Sequence, residues 1–496
     1  MENIKPVVHL KVSTIYSFLQ VQDVASPVLQ ELWEYLDTTL SYEIKNSFFI
    51  KATSNKAFIR DQWDGKKHLF SVKTGRFLTG LLSCVKAALD AYDILYSIED
   101  TRPTYNTIPT PATGLTQRIY QIEAVDALIE NKRGILFARP RSGKTIIEIM
   151  LHERLGLLPH LSICQSIDIA RQTKKKFETF FPNIPIGLIG DGVVDIQGIT
   201  IATIQSLTAA YTEKYKLETG ERIEQIPVTA ESKASVRNLV ETSKVVWVDE
   251  CHHAAASTYS FILGNKVYAA EYIIGSSGTP YREDNTDKFI EGLLGPIVYE
   301  IGYTKLVEEG YLVPPNIHII KMPKDDTIVE EHYQSIYKAA ITENLIRNDV
   351  IKRIAIDLNK KGKSCMILVT KLGHGKELEK TIPNSRFTYS KATDREQCWT
   401  LLHNKQLMTL ITTLGDEGLD IPSLDATIIA GGGESAIKVF QRLRCMTPFE
   451  NKDYKKETAI VVDFHDPYKY LKRHSNKRKK LYKSEKVFRV FERDAK

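Results

Sequence analysis

Short apolar runs alternate with stretches of helical spacing along most of this chain. Runs near residues 135, 163, 200, 246 and 273 are separated by segments long enough for a crossover helix, which predicts parallel strands and an α/β unit over residues 113–302. After the run at 163, Ile169, Thr173, Phe177 and Phe181 recur at helical spacing, so that helix is expected to lay this face on the sheet as core. The charged stretch from Tyr211 to Ser243 reads as an insertion. Residues 303–324 read as a linker, because Val313-Pro-Pro315 discourages helix. A second α/β unit is expected over 325–470, with strands at Cys365–Thr370, Phe387–Ser390, Thr409–Thr412 and a closing strand at Ala459–Phe464. Residues 1–112 lie outside this pattern, and residues 471–496 read as a basic tail.

The strand near 135 leads into Ala138-Arg-Pro-Arg141-Ser142-Gly143-Lys144-Thr145 and then into a helical pattern. A strand, a tight loop and a helix N-terminus in that order cradle nucleotide phosphates: backbone N–H groups and the positive helix end face the anion. Lys144 is then expected to reach the β- and γ-phosphates of ATP, and the Thr145 hydroxyl to ligate Mg²⁺. Ala138 stands where the first glycine of such loops is usual. The strand Lys244–Val248 delivers Asp249-Glu250-Cys251-His252 at its C-terminal end, where ligands of open α/β sheets bind. Asp249 can hold the Mg²⁺, and Glu250 can orient or deprotonate the attacking water.

These motifs resemble those of the superfamily 2 helicases and translocases, and further motifs follow in that family's order between residues 115 and 445. Leu115-Thr-Gln-Arg118-Ile-Tyr120-Gln121 is similar to the adenine-reading segment, with Arg118 and Gln121 as its contacts. Ser277-Gly-Thr279-Pro280 resembles the motif that couples hydrolysis to movement, in which His252 and Gln441 are also implicated. Thr413-Leu-Gly-Asp-Glu-Gly418-Leu-Asp420-Ile-Pro422 resembles motif V, with Gly418 and Asp420 toward the nucleotide and Thr412 and Thr413 gripping phosphates without reading sequence. Gln441-Arg442-Leu-Arg444 resembles motif VI without its usual glycine and last arginine. An arginine finger contributes ~10³ to 10⁵ in rate, and Arg442 and Arg444 are both candidates. The resemblance implies two tandem RecA-like lobes with a small α+β N-terminal domain, a cleft that opens and closes with hydrolysis, and nucleic acid held across both lobes.

Within residues 1–112, Trp63-Asp-Gly65-Lys66-Lys67, Thr74-Gly-Arg-Phe77 and Gly80-Leu-Leu82 resemble the small domain of phage UvsW-type helicases, relatives of the XPB-like helicases. That resemblance implies action on forks, D-loops or Holliday-type junctions in replication, recombination or repair, with Trp63, Lys66 and Lys67 on a duplex arm and replication or recombination proteins as partners. A chain beginning near Gly114 is expected to keep a DNA-stimulated ATPase and lose fork preference. Two other readings are an RNA helicase, and an ATP-gated clamp or motor subunit of a nuclease. Against the first, motif II is not D-E-A-D, motif III is not S-A-T and the N-terminal resemblance points to DNA; against the second, intact Lys144, Asp249 and Glu250 argue against a motor without turnover, and the sequence shows no nuclease carboxylate cluster.

Composition changes this picture little. The 496 residues carry 43% hydrophobic and 26% charged side chains, ordinary for a globular protein. No stretch approaches a membrane span, and the six cysteines form no C-x-x-C pair, so a zinc ribbon or disulfide framework is not indicated and a reducing cytoplasm is expected, a host's if the chain is phage-encoded. The net charge of +6 is concentrated in Lys472-Arg-His474 and Lys477-Arg-Lys-Lys480, which could contact phosphates.

Overall fold

A computed structural model of the chain describes residues 7–21, 26–54, 62–211, 229–279, 286–328, 332–414, 421–433, 439–440, 442–451 and 454–495. It divides into two compact units, residues 1–138 with 143–300, and residues 139–142 with 301–496.

In the first unit the expected strands are present as Arg133–Ala138, His160–Cys164, Ile199–Thr203, Val245–Asp249 and Tyr272–Ser277. They form the centre of an eight-stranded sheet in the order Val193–Asp195, Ile186–Gly190, Ile199–Thr203, His160–Cys164, Val245–Asp249, Tyr272–Ser277, Arg133–Ala138 and Ile297–Ile301. The run from Ile186–Gly190 to Arg133–Ala138 is parallel throughout, as βαβ crossovers require. Helix Ile167–Phe180 starts where the Ser166 hydroxyl accepts the Ile169 N–H, and it buries Ala170, Thr173 and Phe177 as its spacing predicts. Of the expected insertion, residues 212–228 lie outside the described part, while Ala230–Thr242 is a helix that buries Val236, Leu239 and Val240.

The N-terminal segment folds as a five-stranded α+β layer, in the order Phe70–Ser71, Arg76–Leu78, Tyr16–Val21, Val7–Val12, Leu95–Asp100, backed by helices Pro27–Thr39 and Leu82–Ala91. Its core continues into that of the first α/β sheet as one cluster that runs from Val8 to Leu294. The join is tight because glycines let backbone meet backbone. A Cβ on Gly80 would collide with the Glu291 and Gly292 carbonyl oxygens, and one on Gly292 would lie 2.9 Å from Leu78. Arg133 reaches across the same join to the carbonyls of Thr14 and Leu293.

The second unit holds a seven-stranded sheet in the order Ser385–Thr388, Thr409–Thr412, Cys365–Leu368, Ala426–Ile429, Ala459–His465, Pro315–Lys321, Arg489–Asp494, parallel throughout. Two sequence expectations differ from this. The region read as linker contains Pro315–Lys321, a strand flanked on both sides; its proline sits at the first position, where a missing N–H is tolerated. The region read as a basic tail is a helix, Lys469–Ser484, followed by the edge strand Arg489–Asp494. The charge run hid a buried face that is partly polar: Leu471, His474, Ser475, Arg478 and Tyr482 are buried.

Candidate active site

The phosphate loop joins strand Arg133–Ala138 to helix Lys144–Leu155. Gly143 turns the chain at φ 83°, a left-handed conformation that excludes most side chains, and a Cβ there would lie 2.6 Å from the Gln121 amide nitrogen. The helix that follows has no side-chain N-cap and no acid in its first turn, so its N–H groups and dipole suit an anion. Gln121 is buried, and its amide oxygen accepts the Arg118 N–H at 3.1 Å, while the Arg118 guanidinium donates to the Tyr120 hydroxyl at 2.9 Å. The segment expected to read adenine is thus held in shape by its own two candidate residues. Arg141 and Ser142 fall in the second unit, where Arg141, at φ 72°, donates to the Leu443 carbonyl.

Strand Val245–Asp249 places Asp249 and Glu250 against this helix. The Lys144 ammonium lies 2.5 Å from Glu250 Oε1. Burial lowers the proton affinity of Lys144, but the Glu250 and Asp249 charges outweigh it and hold it charged. Burial would raise Glu250; the nearby Lys144 ammonium and a hydrogen bond from His252 overcome that and keep it well below the usual carboxylate range. Asp249 is pushed up by burial and by Glu250, with Lys144 opposing. Glu250 itself sits at φ 47°, a strained position for a side-chain-bearing residue and of the kind that clusters at functional sites.

A hydrogen-bonded chain continues from these acids. Ser276 donates to Asp249 Oδ1 at 3.1 Å. His252 Nδ1 lies 3.3 Å from Glu250 Oε2 and 3.0 Å from Ser277 Oγ, and Ser277 Oγ accepts the Thr279 N–H at 3.2 Å. Lys144 and Glu250, expected in hydrolysis, are therefore hydrogen-bonded in one chain with His252, Ser277 and Thr279, expected in coupling. Ser276 was not expected; its only sequence signal is its place beside Ser277 at the end of a strand. Thr145 and Asp249 offer hydroxyl and carboxylate oxygens, the hard donors Mg²⁺ prefers when phosphates and water complete its shell. Among the described residues no larger His, Cys, Asp or Glu cluster suits a metal.

Further along the same helix, Glu148 and His152 face His160 on the neighbouring strand, all three buried. His160 Nε2 is 3.4 Å from Glu148 Oε1, and His152 Nδ1 is 3.1 Å from His160 Nδ1. Burial pushes Glu148 up to about 8 and both histidines down to about 3, so the group is neutral near pH 7.

In the second unit Thr412 is wholly buried and its hydroxyl accepts the Leu414 N–H, which leaves half-buried Thr413 as the more accessible of the pair. Gly418, Asp420 and Gln441 lie outside the described residues. Arg444 is buried in a short 3-10 turn, and Arg442 donates to the Gly432 carbonyl at 2.7 Å. That bond is one of four in a row. Arg347 donates to the Ala430 carbonyl at 3.0 Å, Tyr337 to Gly431 at 2.6 Å, Arg442 to Gly432, and Arg478 to Gly433 at 2.5 Å. Arg478 is in turn fixed by Asp463 at 2.8 and 2.9 Å, and Arg347 pairs with Asp466. Sequence reading missed this clamp; its one signal was Gly431-Gly-Gly433 directly after a strand.

In the N-terminal layer the Trp63 indole donates to the Lys66 carbonyl at 2.7 Å, and Asp64 accepts the Lys66 N–H, so Trp63 and Asp64 stabilise their own turn. Lys66 is half-buried in strand Lys66–His68, and the Lys67 ammonium sits 3.9 Å over the Phe289 ring. Lys67 lines a 340 Å³ groove with His68, Arg76 and Tyr16.

Comparison with known proteins agrees with this geometry. Residues 114–282 match the family described as type III restriction enzyme, res subunit. "Putative helicase 22" of a Sulfolobus islandicus filamentous virus is 25% identical over 489 residues, which cover 87% of this chain and 84% of that one. "DNA 3'-5' translocase XPB2" of Sulfurisphaera tokodaii is 28% identical over 44% of this chain and 43% of its own length. Among solved structures, a fragment of a "putative HsdR subunit of a type I restriction enzyme" from Vibrio vulnificus YJ016 aligns over 79% of this chain and 69% of its own, at 16% identity and a TM-score of 0.53, a likeness of fold. The family match over residues 114–282 and the likeness to these helicases support a superfamily 2 helicase motor. Its two largely parallel sheets resemble tandem RecA-like helicase lobes.

Proposed function

We propose that this protein is an ATP-dependent DNA helicase or translocase that acts on branched DNA such as forks, D-loops or Holliday-type junctions. The observation that carries the ATPase reading is the hydrogen-bonded chain Lys144, Glu250, His252, Ser277, Thr279, which links the candidate phosphate-binding, hydrolytic and coupling residues. Lys144 and Thr145 would hold the phosphates and Asp249 and Thr145 would ligate Mg²⁺, which would supply charge neutralisation at the transferring phosphoryl group. Glu250 is the general base. When the Lys144 ammonium turns to the phosphates, Glu250 loses the charge that most lowers its proton affinity, and burial then favours proton uptake from the attacking water. Arg442 or Arg444 serves as the finger, and the carbonyl clamp on Ala430–Gly433 orients Arg442.

DNA as substrate is supported by the likeness to the Sulfurisphaera tokodaii DNA 3'-5' translocase. Branch preference is supported by the N-terminal layer: a domain sharing its core with the first motor lobe can present a second surface at a fixed angle to it. The cationic groups Lys67, His68 and Arg76 are our candidates for that surface, together with Lys66; Trp63 supports their turn. Strand displacement and branch migration measured side by side on forks, four-way junctions and plain tailed duplexes test this. Equal rates on all three would remove the branched-DNA assignment.

A further inference from the structure

The helix Lys469–Ser484 is built in two halves with different tasks. Its inner face is fixed: Arg478 is tied to Asp463 and Gly433, Tyr482 donates to Asp463 at 2.9 Å, and the Ser475 hydroxyl accepts the Asp466 N–H at 3.3 Å. Its outer face carries Lys469, Lys472, Arg473, Asn476, Lys477 and Lys480, which line one open groove of 450 Å³. These positions follow the helical period, so the cations stand in a stripe about 16 Å long at ~1.5 Å rise per residue. The helix contains no acidic residue.

This arrangement works against the helix itself. Lys469 with Lys472, Lys469 with Arg473, and Arg473 with Lys477 are like-charge neighbours three or four residues apart, and two lysines sit in the first turn, against the positive end of the dipole. By contrast Lys479 and Lys483, on the flank, are neutralised by Glu492. Among the described residues no carboxylate pairs with Lys472 or Lys480.

We propose that this outer face binds the phosphate backbone of the DNA on which the motor acts, as a contact separate from motif V and from the N-terminal layer. The proposal rests on the DNA-motor reading above. A rigid row of cations suits a polyanion with regularly spaced charges, and it carries no sequence information. A membrane surface fits less well, because the outward face offers no apolar side chain to enter the acyl boundary.

The test is Lys469→Gln, Lys472→Gln and Lys480→Gln combined in the full chain. None of the three touches the buried face, so folding is checked by melting temperature, expected to be unchanged or slightly raised as the like-charge repulsion is relieved, and by ATPase without DNA, expected to be unchanged. Affinity for a forked DNA is measured as a function of salt. Three lost phosphate contacts should make the slope of log K against log salt shallower by about 2 to 3, with weaker binding at low salt. An unchanged slope with normal wild-type binding overturns the proposal while leaving the motor reading intact. A wild-type protein that neither binds DNA nor is stimulated by it overturns the reading itself. Binding to phosphatidylserine vesicles that the triple variant loses, alongside an unchanged DNA slope, would assign the face to membrane and also overturn the proposal.

Discussion

Removing the N-terminal layer should unfold the first motor lobe rather than release a working motor. A chain beginning at Gly114 loses Leu78 and Leu81, which pack on helix Asp287–Leu294, and leaves Phe289, Ile290 and Leu293 partly in water. Uncovering part of three such side chains costs about 3 to 5 kcal/mol at ~25 cal/mol per Å². The buried Arg133 guanidinium also loses its Thr14 carbonyl, a hydrogen bond to a charged group worth ~1.5 to 3 kcal/mol. Together these approach the ~5 to 15 kcal/mol that stabilises a whole domain, which corresponds to a fall in melting temperature of roughly 10 °C or more. The sequence expectation that such a truncation keeps its ATPase is therefore revised. Circular dichroism melts of the full and shortened chains decide it, with Gly80→Ala as a point variant that wedges the same join. A shortened chain that melts within about 2 °C of the full protein and hydrolyses ATP normally would refute the shared core.

Three further outcomes are expected. Glu250→Gln should retain ATP affinity, since Lys144 no longer has a carboxylate to leave, yet lower DNA-stimulated turnover by about 10² to 10⁴, whereas Lys144→Ala should weaken both; single-turnover phosphate release and nucleotide titration separate them. Of Arg442→Ala and Arg444→Ala, the finger variant should lose ~10³ or more in kcat with little change in nucleotide affinity, and Arg442→Ala should in addition lower the melting temperature because the Gly432 carbonyl loses its donor; near-normal turnover in both would place the finger elsewhere. The buried Glu148 group should impose a pH optimum on stability. Between 4.5 and about 8 the native state holds the Glu148 proton that the unfolded chain releases, so stability falls as pH rises through that window; below 6.5 the unfolded chain gains histidine protons that the native state refuses, so stability falls as pH drops. Urea titrations of Glu148→Gln should lose the alkaline limb and keep the acidic one; an unchanged alkaline limb would show that Glu148 is ionised in the native state.

Periodicity made the first lobe legible because its strands are unbroken apolar runs between amphipathic helices, as at Val245–Asp249 and Ile167–Phe180. The candidate catalytic residues were nameable for a related reason: Asp249 and Glu250 sit at the end of such a strand and Lys144 opens the helix that follows another, where local pattern fixes position. What local pattern does not encode is partnership over long separations. Pro315–Lys321 was hidden by its prolines, and Arg478 by a run of surface cations, although each is settled by what it packs against. The donors to the Ala430–Gly433 carbonyls come from positions 337, 347, 442 and 478, too far apart in sequence for spacing to suggest a shared task.

Whether the protein is a DNA-driven ATPase with branch preference is decided by phosphate release from the full chain with no nucleic acid, single-stranded DNA, forked DNA or RNA. A motor of this kind gives low release alone, strong stimulation by DNA that is greatest with the fork, and loss of stimulated release in Glu250→Gln. Equal stimulation by RNA and forked DNA, or stimulated release that survives Glu250→Gln, would contradict it.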